Sequence, residues 1–236
     1  MTGLQRWVVR RVVAARRRIE NVEARMFTRA HTPELLRAYE AFAEASQSGV
    51  ARQPFKGRDL WRILEATTPA SIVELGSGTT SAVFALWAAR KATLYRAFEH
   101  DARWAAVTTD CLKRGRVLEG GASAIRHVMS RVREDGGATG FVDPLPRDAD
   151  FIYVDGPPCR LESGRKVPND DVTRLLDAGG QPRVIVIDGR LETVDLIRSH
   201  PRGSGYRFLP SYVYALRKGK WRDAIAGREH TILIRI

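Results

Sequence analysis

At 236 residues the chain has the length of one α/β domain plus an extension, enough to bury a core without disulfide or metal staples. Apolar residues at 44% exclude a disordered polar chain. Two cysteines, Cys111 and Cys159, exclude a disulfide framework or a cysteine zinc cluster and point to a reducing compartment, the cytoplasm. The net charge of +12 sits at the ends: residues 1–30 hold eight arginines against Glu20 and Glu23, residues 202–236 hold eight Lys or Arg against Asp223 and Glu229, and the span between is neutral. Basic ends suit an anionic partner, whether a membrane surface, nucleic acid or an acidic glycan; the alternative is a solvated charged face. No apolar run reaches the length of a membrane span, and the recurring arginines of the first segment read poorly as a secretory signal.

The spacing predicts a helix over residues 4–29. Val8, Val12, Ala15, Ile19, Val22 and Met26 recur at alternating steps of four and three, a heptad seam. That seam predicts docking onto the main domain or onto a second copy, a homodimer. The alternative is a basic amphipathic helix on anionic lipid with Trp7 at the interface, which would make the protein peripheral to the membrane. Thr32 and Pro33 read as the start of a helix with Leu35, Tyr39 and Phe42 on one face, ended by Gly49. Asp59 reads as the cap of a third helix carrying Leu60, Ile63 and Leu64, which stops before Pro69. Residues 1–54 thus form a basic helical extension and residues 55–236 the main domain.

Alternation follows: strand 71–75, helix 80–90, strand 93–98, helix 102–113, strand 124–129, strand 150–154, helix 170–177, strand 183–187 and helix 191–199. Strands separated by helices imply a parallel sheet. The glycine-rich patches at 120–121 and 136–140 read as loops. Two late strands, 206–216 and 230–236, read as an antiparallel hairpin closing the sheet.

The first of these strands feeds the most telling segment, Ile72 to Ser81. An apolar run carries Glu74, and then come Gly76, Ser77, Gly78, Thr79, Thr80 and Ser81. Glycines lacking Cβ allow a tight turn and close approach of a ligand to the backbone, and N–H groups opening the next helix face what is bound. The pattern is a dinucleotide fingerprint whose third glycine is Ser81, and alone it is weak. A second strand ending in Glu99-His100-Asp101 strengthens it, because a carboxylate at that tip suits the two hydroxyls of a ribose.

Four segments, V-E-L-G-S-G-T-T-S at 73–81, F-E-H-D at 98–101, F-I-Y-V-D-G-P-P at 151–158 and V-I-V-I-D-G-R at 184–190, together resemble the class I S-adenosylmethionine-dependent methyltransferases. The first two look like small O- or N-methyltransferases of bacterial natural-product and glycan pathways. The resemblance implies an α/β Rossmann-like fold, a mostly parallel seven-stranded sheet with helices on both faces and an antiparallel C-terminal hairpin. It implies S-adenosyl-L-methionine as cofactor, with the glycine loop at the methionine end and Glu99 on the ribose. Glu74, Gly76, Ser77, Gly78, Thr79, Thr80, Ser81, Glu99, His100, Ser130, Asp155 and Pro157 are the candidate cofactor residues. The expected acceptor is an oxygen or nitrogen of a small molecule or glycan.

Methyl transfer from a sulfonium needs the nucleophile held in line and often one base. Asp155 and Asp188 end successive strands, where sites of open α/β sheets lie, and either could serve as base or share a metal. Arg190 and Arg160 follow them and suit an anionic acceptor. Asp155, Asp188 and Arg190 are the candidate catalytic residues. Some relatives hold magnesium through an acidic pair after the later strand; here Gly189 replaces the second acid, which leaves the metal undefined. Asp155-Gly156-Pro157-Pro158 is a stiff turn suited to wall the site. His100 and His127 are alternative bases. Two rivals remain. One is a nucleic-acid methyltransferase using Cys159 of Gly156-Pro157-Pro158-Cys159 as nucleophile, although Asp188-Gly189 stands where that family expects a Glu-Asn-Val motif. The other is a non-enzymatic nucleotide-binding module.

Overall fold

The computed structural model describes residues 3–46, 54–118, 125–161, 163–220, 224 and 228–236. The expected helix stop at Gly49, the expected loop at 120–121 and the first residue of the expected strand at 124–129 lie outside them. The chain divides into two units: residues 1–69, 77–95 and 103–126, and residues 70–76, 96–102 and 127–236.

The first unit is helical. It contains α1 (Gly3–His31), α2 (Pro33–Ser46), α3 (Pro54–Thr67), α4 (Ser81–Lys91) and α5 (Ala102–Arg114). Leu35, Phe42, Phe55, Leu60, Leu64, Phe84 and Trp87 are buried, and Trp61 meets Trp87 edge to face at 5.4 Å. Proline at the first position of α2 and of α3 fits a helix start, since the missing N–H there has no partner to lose. Asp59 is therefore no cap: it lies in the second turn of α3 and pairs with Arg58 at 3.0 Å. The expected boundary between residues 54 and 55 falls at the first residues of α3.

The predicted seam of α1 does not dock onto this unit. Val12, Ile19, Val22 and Met26 are exposed, while Val13, Ala24 and Thr28 are buried. Arg17 lays its guanidinium over Phe55, and buried Arg58 binds Glu23 at 3.2 Å. Arginine stems cover apolar surface as well as a valine does, so the packed face of α1 is hidden from a reading of apolar residues alone.

The second unit holds the sheet. In chain order its strands are β1 (Ser71–Leu75), β2 (Leu94–Glu99), β3 (Arg126–Met129), β4 (Val132–Asp135), β5 (Ala138–Phe141), β6 (Phe151–Val154), β7 (Val184–Ile187), β8 (Tyr206–Leu209) and β9 (Thr231–Arg235). Seven of them form one sheet in the order β3-β2-β1-β6-β7-β9-β8. β6 is parallel to β1 and β7, and β9 is antiparallel to β7 and β8. Every residue of β1, β6 and β7 is buried, as a central parallel sheet requires. α6 (Asp171–Asp177) and α7 (Leu191–Ser199) supply Val172, Leu175, Val194 and Ile197 to that core.

Two expectations fail here. The strand predicted for 206–216 ends at Leu209; Pro210 interrupts it, and Ser211 accepts from the Tyr214 N–H to open α8 (Tyr212–Arg217). The patch at 136–140 is not a loop: β4 and β5 pair with Asp135 opposite Ala138, and Gly136 and Gly137, both at positive φ, form a two-residue hairpin turn.

Candidate functional site

Strand order reverses between β1 and β6, since the chain runs outward through β2 and β3 on one side and through β7 on the other. Ligands of open α/β sheets bind beyond the carboxyl ends of strands at such a reversal. Here those ends are locked in register past the strands. Gly76 N–H donates to Phe98 O at 2.9 Å, Asp155 N–H to Leu75 O at 2.9 Å, Asp188 N–H to Val154 O at 3.1 Å and Ser130 N–H to Glu99 O at 2.9 Å.

At the reversal two glycines face each other. Gly76 sits at φ +85°, and a Cβ there would lie 2.7 Å from the Gly156 Cα; one on Gly156 would lie 2.5 Å from the Gly76 Cα. Only a pair of glycines lets these two turns meet. Gly78 has no such need, since its φ is not positive and an added Cβ would only touch Trp104 at 3.7 Å. The Gly156–Pro157 bond is cis. Arg190 donates to the carbonyls of Asp155 and Pro157 and brings Nε within 3.8 Å of Asp155 Oδ1. The guanidinium expected to meet an acceptor thus braces the turn that carries Asp155.

Glu99 is buried at the tip of β2. Its Oε1 accepts from the N–H groups of His100 at 2.8 Å and Asp101 at 3.0 Å, with His100 Nδ1 at 2.9 Å. Two backbone donors fix the direction of that carboxylate. Ser130 is buried, and its hydroxyl accepts from Asp143 N–H at 3.0 Å. Burial pulls the His127 imidazole below its ordinary range, against the opposing pull of Glu99, so the ring is neutral at pH 7.

On the later strands Asp155 is half exposed, while Asp188 accepts from the buried Tyr153 hydroxyl at 3.3 Å. Burial, with the charges of Asp188, Asp155 and Glu74, holds that hydroxyl well above the usual tyrosine range, so it stays a donor. Glu74 is fully buried on β1, opposite Tyr153 of β6. Among the described residues no three His, Cys, Asp or Glu groups converge as a metal site. Cys159 is half-buried, and its carbonyl accepts from Val167 N–H at 3.1 Å.

The residues after Gly76 belong to the helical unit. There Ser81 is fully buried, and its hydroxyl accepts from Gly78 N–H at 2.9 Å, stapling the turn that opens α4. Ser77 is buried, and its carbonyl accepts from Trp104 Nε1 at 2.7 Å; Thr79 and Thr80 are half-buried. The contacts of Trp104 and Asp143 are not legible in the sequence, because the Trp104 indole meets the Ser77 carbonyl, and the Asp143 N–H the Ser130 hydroxyl, only across long stretches of chain.

No family model matches the chain, and neither does any curated protein. Solved structures do. They include a candidate O-methyltransferase from Klebsiella pneumoniae, at 15% identity over 93% of this chain and 98% of that one, with a TM-score of 0.54. The O-methyltransferase from Bacillus cereus in complex with SAH matches at 14% identity over 91% and 97%, with a TM-score of 0.51. Cofactor-bound Rv0187 from MTB matches at 17% identity over 91% and 95%, with a TM-score of 0.51. At such identities the likeness is one of fold. The chain has the Rossmann-like α/β fold of the class I methyltransferases.

Proposed function

We propose that the chain is an S-adenosylmethionine-dependent methyltransferase acting on an oxygen or nitrogen of a small molecule or glycan. The observation that carries this reading is the pairing of Gly76 with Gly156 at the strand-order reversal, beside a Glu99 carboxylate fixed at the next strand tip. The solved relative from Bacillus cereus holds SAH, the demethylated cofactor, on the same fold.

The residues present fit that cofactor. Glu99 would take the ribose hydroxyls, as an acid at this tip does in other nucleotide sites. Gly76, bare of Cβ, would let the backbone approach the amino-acid tail, with Glu74 two residues before it on β1. His100 and Ser130 flank Glu99 on the same edge, and Pro157 walls the later strands. Ser77, Gly78, Thr79, Thr80 and Ser81 enter the proposal from their place in the sequence directly after Gly76. When bound, the cofactor supplies an electrophilic methyl group on sulfur. The protein's task is to align the acceptor and to receive its proton. Asp155, the more exposed of the two strand-end carboxylates, is the proposed base. Asp188, tied to Tyr153, and Arg190, tied to the turn, hold its surroundings.

Titration calorimetry with S-adenosylhomocysteine and with NAD tests the reading. The expected result is binding of the first and none of the second, with Glu99→Gln weakening it roughly tenfold to a hundredfold, the worth of hydrogen bonds to a charged acceptor. Binding of NAD alone, or of neither, defeats it.

A further inference from the structure

The helix α1 is anchored on one side and apolar on the other. Val13, Ala24 and Thr28 are buried, yet Trp7, Val8, Val12, Ile19, Val22 and Met26 stand exposed, Ile19, Val22 and Met26 each by more than 60%. Val8, Val12, Ala15, Ile19, Val22 and Met26 form a stripe about 27 Å long, with Trp7 on its flank. Exposed apolar stripes of this extent mark an interaction surface.

Charge selects the partner. Arg11, Arg18 and Arg25 follow one flank of the stripe at seven-residue intervals, all exposed, and Arg29 continues its end. The two acids of the helix are drawn away, Glu20 to Arg16 at 3.2 Å and Glu23 to Arg58 at 3.2 Å. A second copy laid antiparallel on the stripe would set Arg11, Arg18 and Arg25 against themselves. A parallel copy would face that flank with Arg16 and with a Glu23 already engaged by Arg58. Like charges at such flanking positions oppose pairing. A nucleic acid would use the arginines but leave the stripe in water. An anionic bilayer satisfies both, the stripe in the acyl boundary and the arginines at the phosphates, with Trp7 at the headgroup level under the guanidinium of Arg11.

We infer that α1 is an interfacial anchor that lays Val8, Val12, Ile19, Val22 and Met26 on an anionic phospholipid membrane. The inference is independent of the methyl-transfer reading.

Co-sedimentation of the full chain with vesicles decides it. Vesicles of equal parts phosphatidylglycerol and phosphatidylcholine should carry the protein down, and pure phosphatidylcholine should not. Arg18→Gln should weaken partitioning about fivefold. The double variant Ile19→Gln, Val22→Gln should weaken it more than about tenfold, with an unchanged urea midpoint because both side chains are already in water. Three results overturn the inference: no sedimentation with the anionic vesicles; binding that the double variant leaves intact; or a concentration-dependent dimer that the double variant dissolves while vesicles bind nothing.

Discussion

At Gly76 and Gly156 two backbones meet with no room for a methyl group, whereas along the outer face of α1 six large apolar side chains stand in water. The first region is dictated by space: its residue type follows from a positive φ and a neighbour under 3 Å away. The second is dictated by what lies outside the chain. A motif in the first kind of place reports geometry directly. An apolar pattern in the second reports only that some apolar surface exists, without saying what covers it.

The comparison breaks first if Gly76 tolerates a side chain. Gly76→Ala should cost roughly 2–5 kcal/mol, combining left-handed strain with a clash against backbone that cannot yield. Gly78→Ala should cost less than about 0.5 kcal/mol, since its Cβ would meet Trp104 only at ordinary van der Waals distance. Urea unfolding of both variants checks the pair, and equal losses would show that the meeting of the two turns carries no stability.

That contrast also explains how much the residue pattern disclosed. Strands β1, β6 and β7 were legible because buried parallel strands read as unbroken apolar runs bounded by turn residues. The strand-tip acids Glu99, Asp155 and Asp188 were legible because each closes such a run. The β4–β5 hairpin was not, because its strands, Val-Arg-Glu-Asp and Ala-Thr-Gly-Phe, lack apolar alternation and the paired glycines read as loop. The α8 start carried its own signal, Ser211 after Pro210, which the apolar run around it concealed. The role of Arg190 was out of reach: nothing local says that its fork turns back onto the carbonyls of Asp155 and Pro157.

Within the packed sheet unit one carboxyl is held against its preference. Asp171, buried at the start of α6, accepts from Phe141 N–H at 2.9 Å and from Asn169 Nδ2 at 2.7 Å, yet burial pushes its pKa up to about 6. The folded state therefore binds a proton that the unfolded chain releases near pH 4. Stability is full below that pH and declines as pH rises toward 6, by about 3 kcal/mol from this group. Asp171→Asn should flatten that part of the pH profile in urea unfolding. An unaltered slope between about pH 4 and pH 6 would place the decline elsewhere.

Bracing of the strand-end turn is a smaller effect. Arg190→Ala removes two donors from the carbonyls of Asp155 and Pro157. Affinity for S-adenosylhomocysteine should fall about tenfold, the worth of one or two such bonds. Arg190→Lys should not restore it, since a single ammonium cannot reproduce a planar fork on two carbonyls. Recovery with lysine would mean that charge alone matters there.

The last difference is also the sharpest, because it sets neighbours on one helix against each other. Val13 is 4% exposed and Val12 41%. Deleting two buried methyl groups in Val13→Ala should cost about 1–3 kcal/mol, through reduced burial and the cavity left behind. Val12→Ala should change stability by less than about 0.5 kcal/mol in either direction, since alanine's better helix propensity offsets the slight packing that Val12 provides. If Val12→Ala cost as much as Val13→Ala in solution without lipid, the outer stripe would already be covered by protein, and the face assigned to a membrane would belong to the fold.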